Sequence, residues 1–386
     1  MTTPTPSPAH SAAHSADFTH GKPEKTHLRL GFVALSDVAP LVAAKVLEFG
    51  HSHGLTLELC RQPSWAAVRD KLLSGELDAA HALYGLVYGV QLGIGGPQAE
   101  MAVLLVLNRN GQGITLSNRL TQAVKEHGSL KAGLASLNRV PVFAQTFPTG
   151  THAMWLYYWL AAQGVHPLRD IQSVVIPPPQ MVDALAQDKL DGFCAGEPWN
   201  AVAEARRAGR TAIATSDIWP GHPEKVLACR RDFVSLYPNA ARALVQTMLE
   251  ACRWVDTREH RSEISAWLAK PEVLNVPREV IEPRLVGMYE GAQFAKPPLP
   301  MSFFDGGKVN YPRPSDGEWF LAQYRRWNLL RDGNSAGDAA IAAGINQTSL
   351  YREAAALSGV EIPQETRVDV LFDGQTWGGG AATPTN

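Results

Sequence analysis

An excess of charge of either sign is what this sequence lacks most plainly. Its 35 Lys and Arg nearly balance 37 Asp and Glu, for a formal net charge of −2 over 386 residues. Without a basic field the chain has no general means of collecting nucleic acid or anionic lipid, so direct nucleic-acid binding is not expected. Cysteine is scarce and scattered: Cys60, Cys194, Cys229 and Cys252 form no C-x-x-C pair. That spacing argues against zinc and for unpaired thiols in a packed interior. No apolar run is long enough to predict a membrane span. There is no G-x-S-x-G elbow and no Gly-Lys-Ser/Thr phosphate loop, which sets aside esterase-like catalysis and nucleotide hydrolysis. The opening "MTTPTPSPAHSAAHSADFTHGKPEKTH" has no early basic residues, no apolar run of leader length and no twin arginine. Its composition reads as a disordered tail over residues 1–27, with His10 and His14 solvated rather than metal-bound. A cytoplasmic location is expected, or a periplasmic one for a receptor already processed.

What is present is a core and an alternation. Hydrophobic residues make up 45% of the chain, with ten tryptophans, and the length allows two or three folding units. "LRLGFVAL", "LTLELCR", "LDAAHAL" and "MAVLLVLN" read as strands, and "PLVAAKVLEFGHSHG" and "SWAAVRDKLLSGE" as helices between them. The alternation restarts with "VPVFAQTF", "IQSVVIPP", "DGFCAG" and "TAIATS". Such alternation predicts an α/β fold with mainly parallel sheets and helices on both faces. The expected division is a first lobe from 28–117 plus 223–300, a second lobe from 118–222, a wrapping and helical segment over 301–375, and a loose tail at 376–386. Two α/β lobes imply a ligand cleft at the carboxyl ends of their strands.

The residues that follow strands are therefore the candidates. Trp65, behind the N-cap Ser64 in "QPSWAAV", either packs its ring in the core or offers its indole N–H to a ligand. Gln112 in "NGQGITLS" lies between Gly111 and Gly113, either an ordinary turn residue or an amide donor. His152 in "PTGTHAMW" stands at a helix entrance, behind Gly150 and Thr151, where exposed amides favour an anion. It is a packing residue or a donor with one nitrogen held by the protein; no nucleophile or metal spacing accompanies it. His81 either lines the cleft or packs inside. Glu197, after Gly196 in "CAGEPWN", is expected to be structural, because an acid beside an anion is repulsive. Lys225 in "HPEKVLACR" enters a strand and is either solvated or the counter-charge of a small anion.

Six stretches in order, "PSWAAVRDKLLSGELDAAHAL", "NGQGITLS", "FPTGTHAMWLYYWLAAQG", "VIPPPQMV", "DGFCAGEPWNA" and "IWPGHPEKVLACR", resemble the nitrate-binding family of periplasmic-type solute-binding proteins. The likeness runs from about residue 28 to about 330. That family includes nitrate and bicarbonate receptors of bacterial ABC transporters, and cytoplasmic nitrate/nitrite sensors of the NasS kind. The resemblance implies a two-lobed, type II binding-protein fold without a cofactor, and a binding protein rather than an enzyme. It also implies an anion held by Trp65, Gln112, Gly150, His152, Gly196 and Lys225. Bicarbonate receptors of the family are expected to carry an acid at the lysine position, working with calcium. Lys225 therefore favours nitrate or nitrite, with calcium repelled and no further carboxylates gathered. With no leader in view, the expectation is a cytoplasmic sensor of the NasS kind. Its anion would release an ANTAR-type antiterminator of the NasT kind controlling nitrate assimilation; the alternative is the binding component of a nitrate ABC transporter.

Overall fold

The alternating strand and helix patterns build two five-stranded sheets in the computed structural model, which describes residues 21–289, 297–331 and 335–378. The first sheet contains β1 (His27–Phe32), β2 (Thr56–Arg61), β3 (Ala79–Leu83) and β4 (Met101–Val106). The second contains β5 (Gln112–Ser117), β6 (Val142–Gln145), β7 (Gln172–Val175), β8 (Gly192–Gly196) and β9 (Gly209–Ala214). The chain then returns to the first sheet as β10 (Lys225–Arg230). The spatial orders are β2-β1-β3-β10-β4 and β7-β6-β8-β5-β9. Every residue of β3, β4, β5 and β8 is buried, the signature of strands covered on both faces.

Each sheet is parallel except for one strand in its fourth position. β10 runs antiparallel to β3 and β4, and β5 runs antiparallel to β8 and β9. These two are the strands that carry the chain from one sheet to the other. Their reversal has a positional consequence: the first residue of each, Gln112 and Lys225, lies at the carboxyl ends of its parallel neighbours, where open α/β sheets bind ligands. The two connections also pair with each other. Arg109 bridges Pro223, Leu107 N donates to Lys225 O at 2.7 Å, and Asn110 N donates to His222 O at 3.2 Å. This short double connection is the hinge between the lobes.

Local signals explain the helices that matter here: α1 (Ala39–Val46), α2 (Trp65–Ser74), α3 (Tyr84–Gln91), α4 (Asn118–His127), α5 (Leu130–Ser136), α6 (Thr151–Ala162), α7 (Pro178–Ala186) and α8 (Trp199–Ala205). Ser64 caps α2 as expected, its hydroxyl accepting from Ala67 N at 3.2 Å, a contact typically worth about 1 kcal/mol. Ten of the twelve residues of α6 are buried, so this helix is apolar all round and has protein on every side. The helix Pro314–Arg326 lies against both α3 and α6. Its Tyr324 hydroxyl is within hydrogen-bond distance of the carbonyls of Gly85 (2.5 Å) and Thr149 (2.7 Å), one on each lobe.

Several boundaries differ from the sequence-based expectation. β5 lies in the second sheet, so the crossing precedes Gln112 rather than falling at 117/118. Residues 21–27 are docked: Lys25 Nζ meets Asp78 at 2.6 Å, and Glu24 accepts from Asn239 and Ala240. Thr376–Trp377 pairs with Asp369–Val370, and Trp377 Nε1 donates to Ser315 O at 2.9 Å, so the ordered chain outlasts the expected tail boundary. His10, His14 and residues 379–386 lie outside the described residues. Cys194, Cys229 and Cys252 are buried and unpaired, whereas Cys60 is half-buried. Among the described residues no helix is long and apolar enough to cross a membrane.

Candidate functional site

The junction of the lobes holds a buried cluster of charge. Lys225 Nζ lies 2.8 Å from Asp37 Oδ2 and 2.6 Å from Glu224 Oε1. The second oxygen of Asp37 accepts from His81 Nε2 at 2.7 Å. All four side chains are 1% exposed or less, so the pairs operate in a low dielectric. Asp37 directly follows the β1 region, His81 lies on β3, and Glu224 and Lys225 open β10; the first sheet brings them together at its carboxyl edge.

Burial opposes ionisation of Asp37, but the Lys225 ammonium and His81 outweigh it and hold the carboxyl well below its usual range. Burial lowers the Lys225 ammonium too, yet Asp37 and Glu224 together raise it above its ordinary value. Glu224 moves the other way: burial, joined by the neighbouring Asp37 charge, raises it against the pull of Lys225 and Thr151. Burial keeps His81 neutral-leaning despite Asp37, and it pushes His152 far down with help from Lys225. Burial also takes His222 down to about 3.

The second lobe faces this cluster with neutral donors. Gly150 is the N-cap of α6, and a Cβ there would lie 2.6 Å from Leu83 Cδ1, so glycine permits the close approach of the helix entrance to the first lobe. Thr151 donates to Glu224 Oε1 at 2.7 Å and Trp155 Nε1 to Glu224 Oε2 at 3.3 Å. His152 Nδ1 is held by Thr146 Oγ1 at 2.5 Å, and its Nε2 lies 3.9 Å from Glu224 Oε1. Gln112 stands opposite Gly196 in the β5–β8 ladder, so their side-chain directions share one face. A Cβ on Gly196 would lie 3.6 Å from Asp37 Oδ2; the Gln112 side chain therefore projects on the side of the charge cluster. Trp65 completes the wall from the first lobe. Its ring is 5.7 Å from Lys225 Nζ and 5.7 Å from the His81 ring.

Among the described residues, His152 Nε2, Trp65 Nε1, both amide atoms of Gln112 and Ser36 Oγ are buried without a hydrogen-bond partner. Buried polar atoms are almost always satisfied, and several orphans at one junction point to a polar ligand. A small planar oxyanion matches the donor set: one cation, N–H groups from imidazole, indole and amide, and the amides of a helix N-terminus. The two lobes also touch around the site. Trp199 Nε1 donates to Ala34 O at 2.8 Å, and Ser36 N donates to Glu197 O at 2.7 Å. These contacts close over the buried lining.

The structure brings all six sequence-derived candidates to this junction, and it changes two expectations. Lys225 does not stand apart from acids; Asp37 and Glu224 both bond it, because the hinge returns β10 beside the end of β1. Gly113 is an extended strand residue, so only Gly111, at φ +93°, makes the tight turn before Gln112. Trp155, outside the sequence-derived candidates, also holds Glu224 through its indole N–H. Glu197 is structural as expected: it accepts from Ala201 N at 3.2 Å and lies 3.6 Å from Arg284 Nε. Asp37 and Glu224 escaped sequence reasoning, although Asp37 follows a strand and Glu224 adjoins a candidate. Among the described residues no group of three or more His, Cys, Asp or Glu is arranged to hold a metal ion.

Comparison with known proteins shows what the chain is similar to. The NMT1-like family profile matches residues 21–269. The crystal structure of the periplasmic nitrate-binding protein NrtA from Synechocystis PCC 6803 superposes with a TM-score of 0.86, at 36% identity, covering 93% of this chain and 97% of that one. In sequence, the nitrate/nitrite binding protein NrtA of Synechocystis is 36% identical over 374 residues, 92% of this chain and 83% of NrtA. The nitrate import ATP-binding protein NrtC of the same organism is 39% identical over 313 residues, 80% of this chain. The chain spans only 47% of NrtC. The bicarbonate transport ATP-binding protein CmpC of Synechococcus elongatus is 34% identical over 360 residues, 91% of this chain and 53% of CmpC.

Proposed function

The chain belongs to the NMT1-like family, and on that premise we propose that it binds nitrate or nitrite between its lobes as the solute-binding component of an ABC-type importer. The observation that carries this reading is the set of buried, unpartnered donors at the junction that holds the Lys225 ammonium. Lys225 supplies charge; His152, Trp65 and Gln112 supply N–H groups; Gly150 and Gly196 let backbone come close. Binding bridges the two sheets and favours the closed arrangement, in which Trp199 and Ser36 make their cross-lobe bonds. The ammonium in place of an acid favours nitrate over a calcium-assisted bicarbonate, as Asp37 and Glu224 already hold a cation between them.

The sensor expected from the sequence uses the same cleft and differs only in what reads the closure. NrtC is named as a nitrate import protein and NrtA as a periplasmic nitrate-binding one, which supports the receptor over a cytoplasmic regulator with an antiterminator partner. Calorimetry of the full chain with nitrate, nitrite and bicarbonate, with and without calcium, tests the ligand. Tight nitrate or nitrite binding without calcium is expected; calcium-dependent bicarbonate binding alone would overturn the reading. Cell fractionation tests the role, since a wholly cytoplasmic protein would return the sensor to first place.

A further inference from the structure

Charge in the buried junction does not favour an incoming anion. Lys225 already faces two carboxylates, at 2.8 and 2.6 Å. With both ionised and the imidazoles neutral, the cluster carries one net negative charge before any ligand arrives. A nitrate would double it among side chains that are 1% exposed or less. Desolvated like charges at a few ångströms repel strongly, and proteins relieve such crowding by protonating one acid.

The surroundings of the two carboxylates differ. Asp37 has a strong donor on each oxygen, His81 Nε2 on one and Lys225 Nζ on the other. Glu224 has Thr151 and Lys225 on Oε1, but on Oε2 only the long Trp155 contact at 3.3 Å. The groups facing Glu224 come from every surrounding element. These are Lys225 beside it on β10, Asp37 after β1, His81 on β3, and Thr151, His152 and Trp155 on α6. His222 Nδ1 on the return connection lies 3.9 Å away, and Cys194 on β8 feels its charge. Of these, only Lys225 is a fixed cation. Glu224 Oε1 also lies 3.9 Å from the unpartnered His152 Nε2, so this acid borders the donors assigned to the anion.

We propose that Glu224 is a further binding residue, and that each anion enters together with one proton, taken up on Glu224. In the empty protein the carboxylate shares the Lys225 ammonium. In the loaded protein the protonated carboxyl releases the ammonium to the anion and leaves one acid, Asp37, to balance Lys225. No bond is broken in the ligand, and the proton comes from solvent as the lobes close. The direction of the Glu224 shift, upward through burial and Asp37, agrees with this assignment. The inference rests on the reading of the cleft as a nitrate or nitrite site and adds its stoichiometry.

The test is calorimetric titration of the full-length protein with potassium nitrate in Tris and in bicine, whose protonation heats differ, across about pH 6 to pH 9. Above the titration of the empty site, the expected result is about one proton absorbed per nitrate and a Kd that rises about tenfold per pH unit. E224Q mimics the protonated acid, so it should bind nitrate with no proton uptake and a Kd that is flat over the same range. Wild-type binding with no proton uptake at any pH would overturn the proposal and leave the nitrate reading intact. Continued uptake by E224Q would overturn the assignment to Glu224. The wild-type measurement decides the first point even if the variant fails to fold. Absence of nitrate and nitrite binding at every pH would instead sink the underlying reading.

Discussion

The two lobes bring different chemistry to one junction. The first contributes the charges: Asp37, Lys225 and the adjoining Glu224, with His81 behind them. The second contributes neutral groups: Gln112, the entrance of α6 with His152, and the bare backbone of Gly196. The sheets are built alike, each with its crossing strand reversed in fourth place, yet one crossing strand opens on Lys225 and the other on Gln112. The lobes meet where Thr151 and Trp155 bond Glu224, so a ligand held there, as proposed, would have to satisfy both sets at once. On the proposed reading, a cation in one half and shape-reading donors in the other would make closure depend on a small polar anion, which neither half would recognise fully alone.

The sharpest way to break this comparison is to remove the charge from the charged lobe. K225E should abolish nitrate binding and destabilise the fold by about 3–5 kcal/mol, the usual penalty for leaving buried charge uncompensated. Calorimetry and denaturant unfolding measure the two effects. Wild-type affinity in K225E would mean that the first lobe's charge has no part in recognition.

A second contrast sets one buried acid against another. Asp37 has both oxygens bonded and is held low, so the stability it contributes is full above about pH 4 and is lost as the pH falls below that. Glu197 lies across the junction with one oxygen unbonded, and burial, working against Arg284, lifts it from the ordinary 4.5 to about 7. A raised carboxyl reverses the sign: the folded state binds the extra proton, so stability falls as pH rises from about 4.5 to 7. At 1.36 kcal/mol per unit this amounts to about 3 kcal/mol. E197Q should therefore gain on the wild type by up to about 3 kcal/mol between pH 5 and pH 8 in urea unfolding. A pH-independent difference would show that Arg284 keeps Glu197 ionised throughout.

How much of this was legible in the chain follows from what local pattern can encode. The βα alternation, the Ser64 cap, the helix entrance at Gly150 and the strand start at Lys225 are local, and hydrophobic period and turn residues announce them. The direction of a strand is not local. The apolar run of β10 looks the same whether parallel or reversed, so the mirrored crossing strands were invisible. The Asp37–Lys225 contact joins residues 188 apart, and only the return through the hinge creates it. Lys225 was therefore recognised by type and place, while its paired state was not. The resemblance to nitrate-binding proteins named neutral donors that the fold gathers at the junction, yet Asp37 and Glu224 lay outside the motif positions it carried.

Smaller effects should follow from thinning the neutral donors singly. W65F keeps the ring against Lys225 but deletes the indole N–H, and H152Q and Q112L each alter one second-lobe or wall contact. Hydrogen bonds to a charged group contribute about 1.5–3 kcal/mol, so each variant should weaken nitrate binding by about ten- to hundredfold. The indole N–H of Trp65 and the amide of Gln112 bond nothing else among the described residues, so W65F and Q112L should move unfolding midpoints less than H152Q, which also loses the bond from Nδ1 to Thr146. Equal losses for nitrate and nitrite would assign a donor to the shared part of the two anions; a loss confined to nitrate would place it at the third oxygen.

The smallest expected change concerns the latch rather than the site. Trp199 Nε1 reaches from the second lobe to Ala34 O in the first, at 2.8 Å. W199F retains most of the buried ring and removes that single bond, a net loss of about 0.5–1.5 kcal/mol. Ser36 N still donates to Glu197 O, so closure survives. If the bond forms only as the lobes meet, its loss falls on the closed state. Nitrate should then dissociate about two- to tenfold faster with its association rate nearly unchanged, as stopped-flow tryptophan fluorescence can read. A slower association at constant dissociation would show instead that the contact is already made before the anion arrives, and that the two lobes are poised by the hinge rather than drawn together by the ligand.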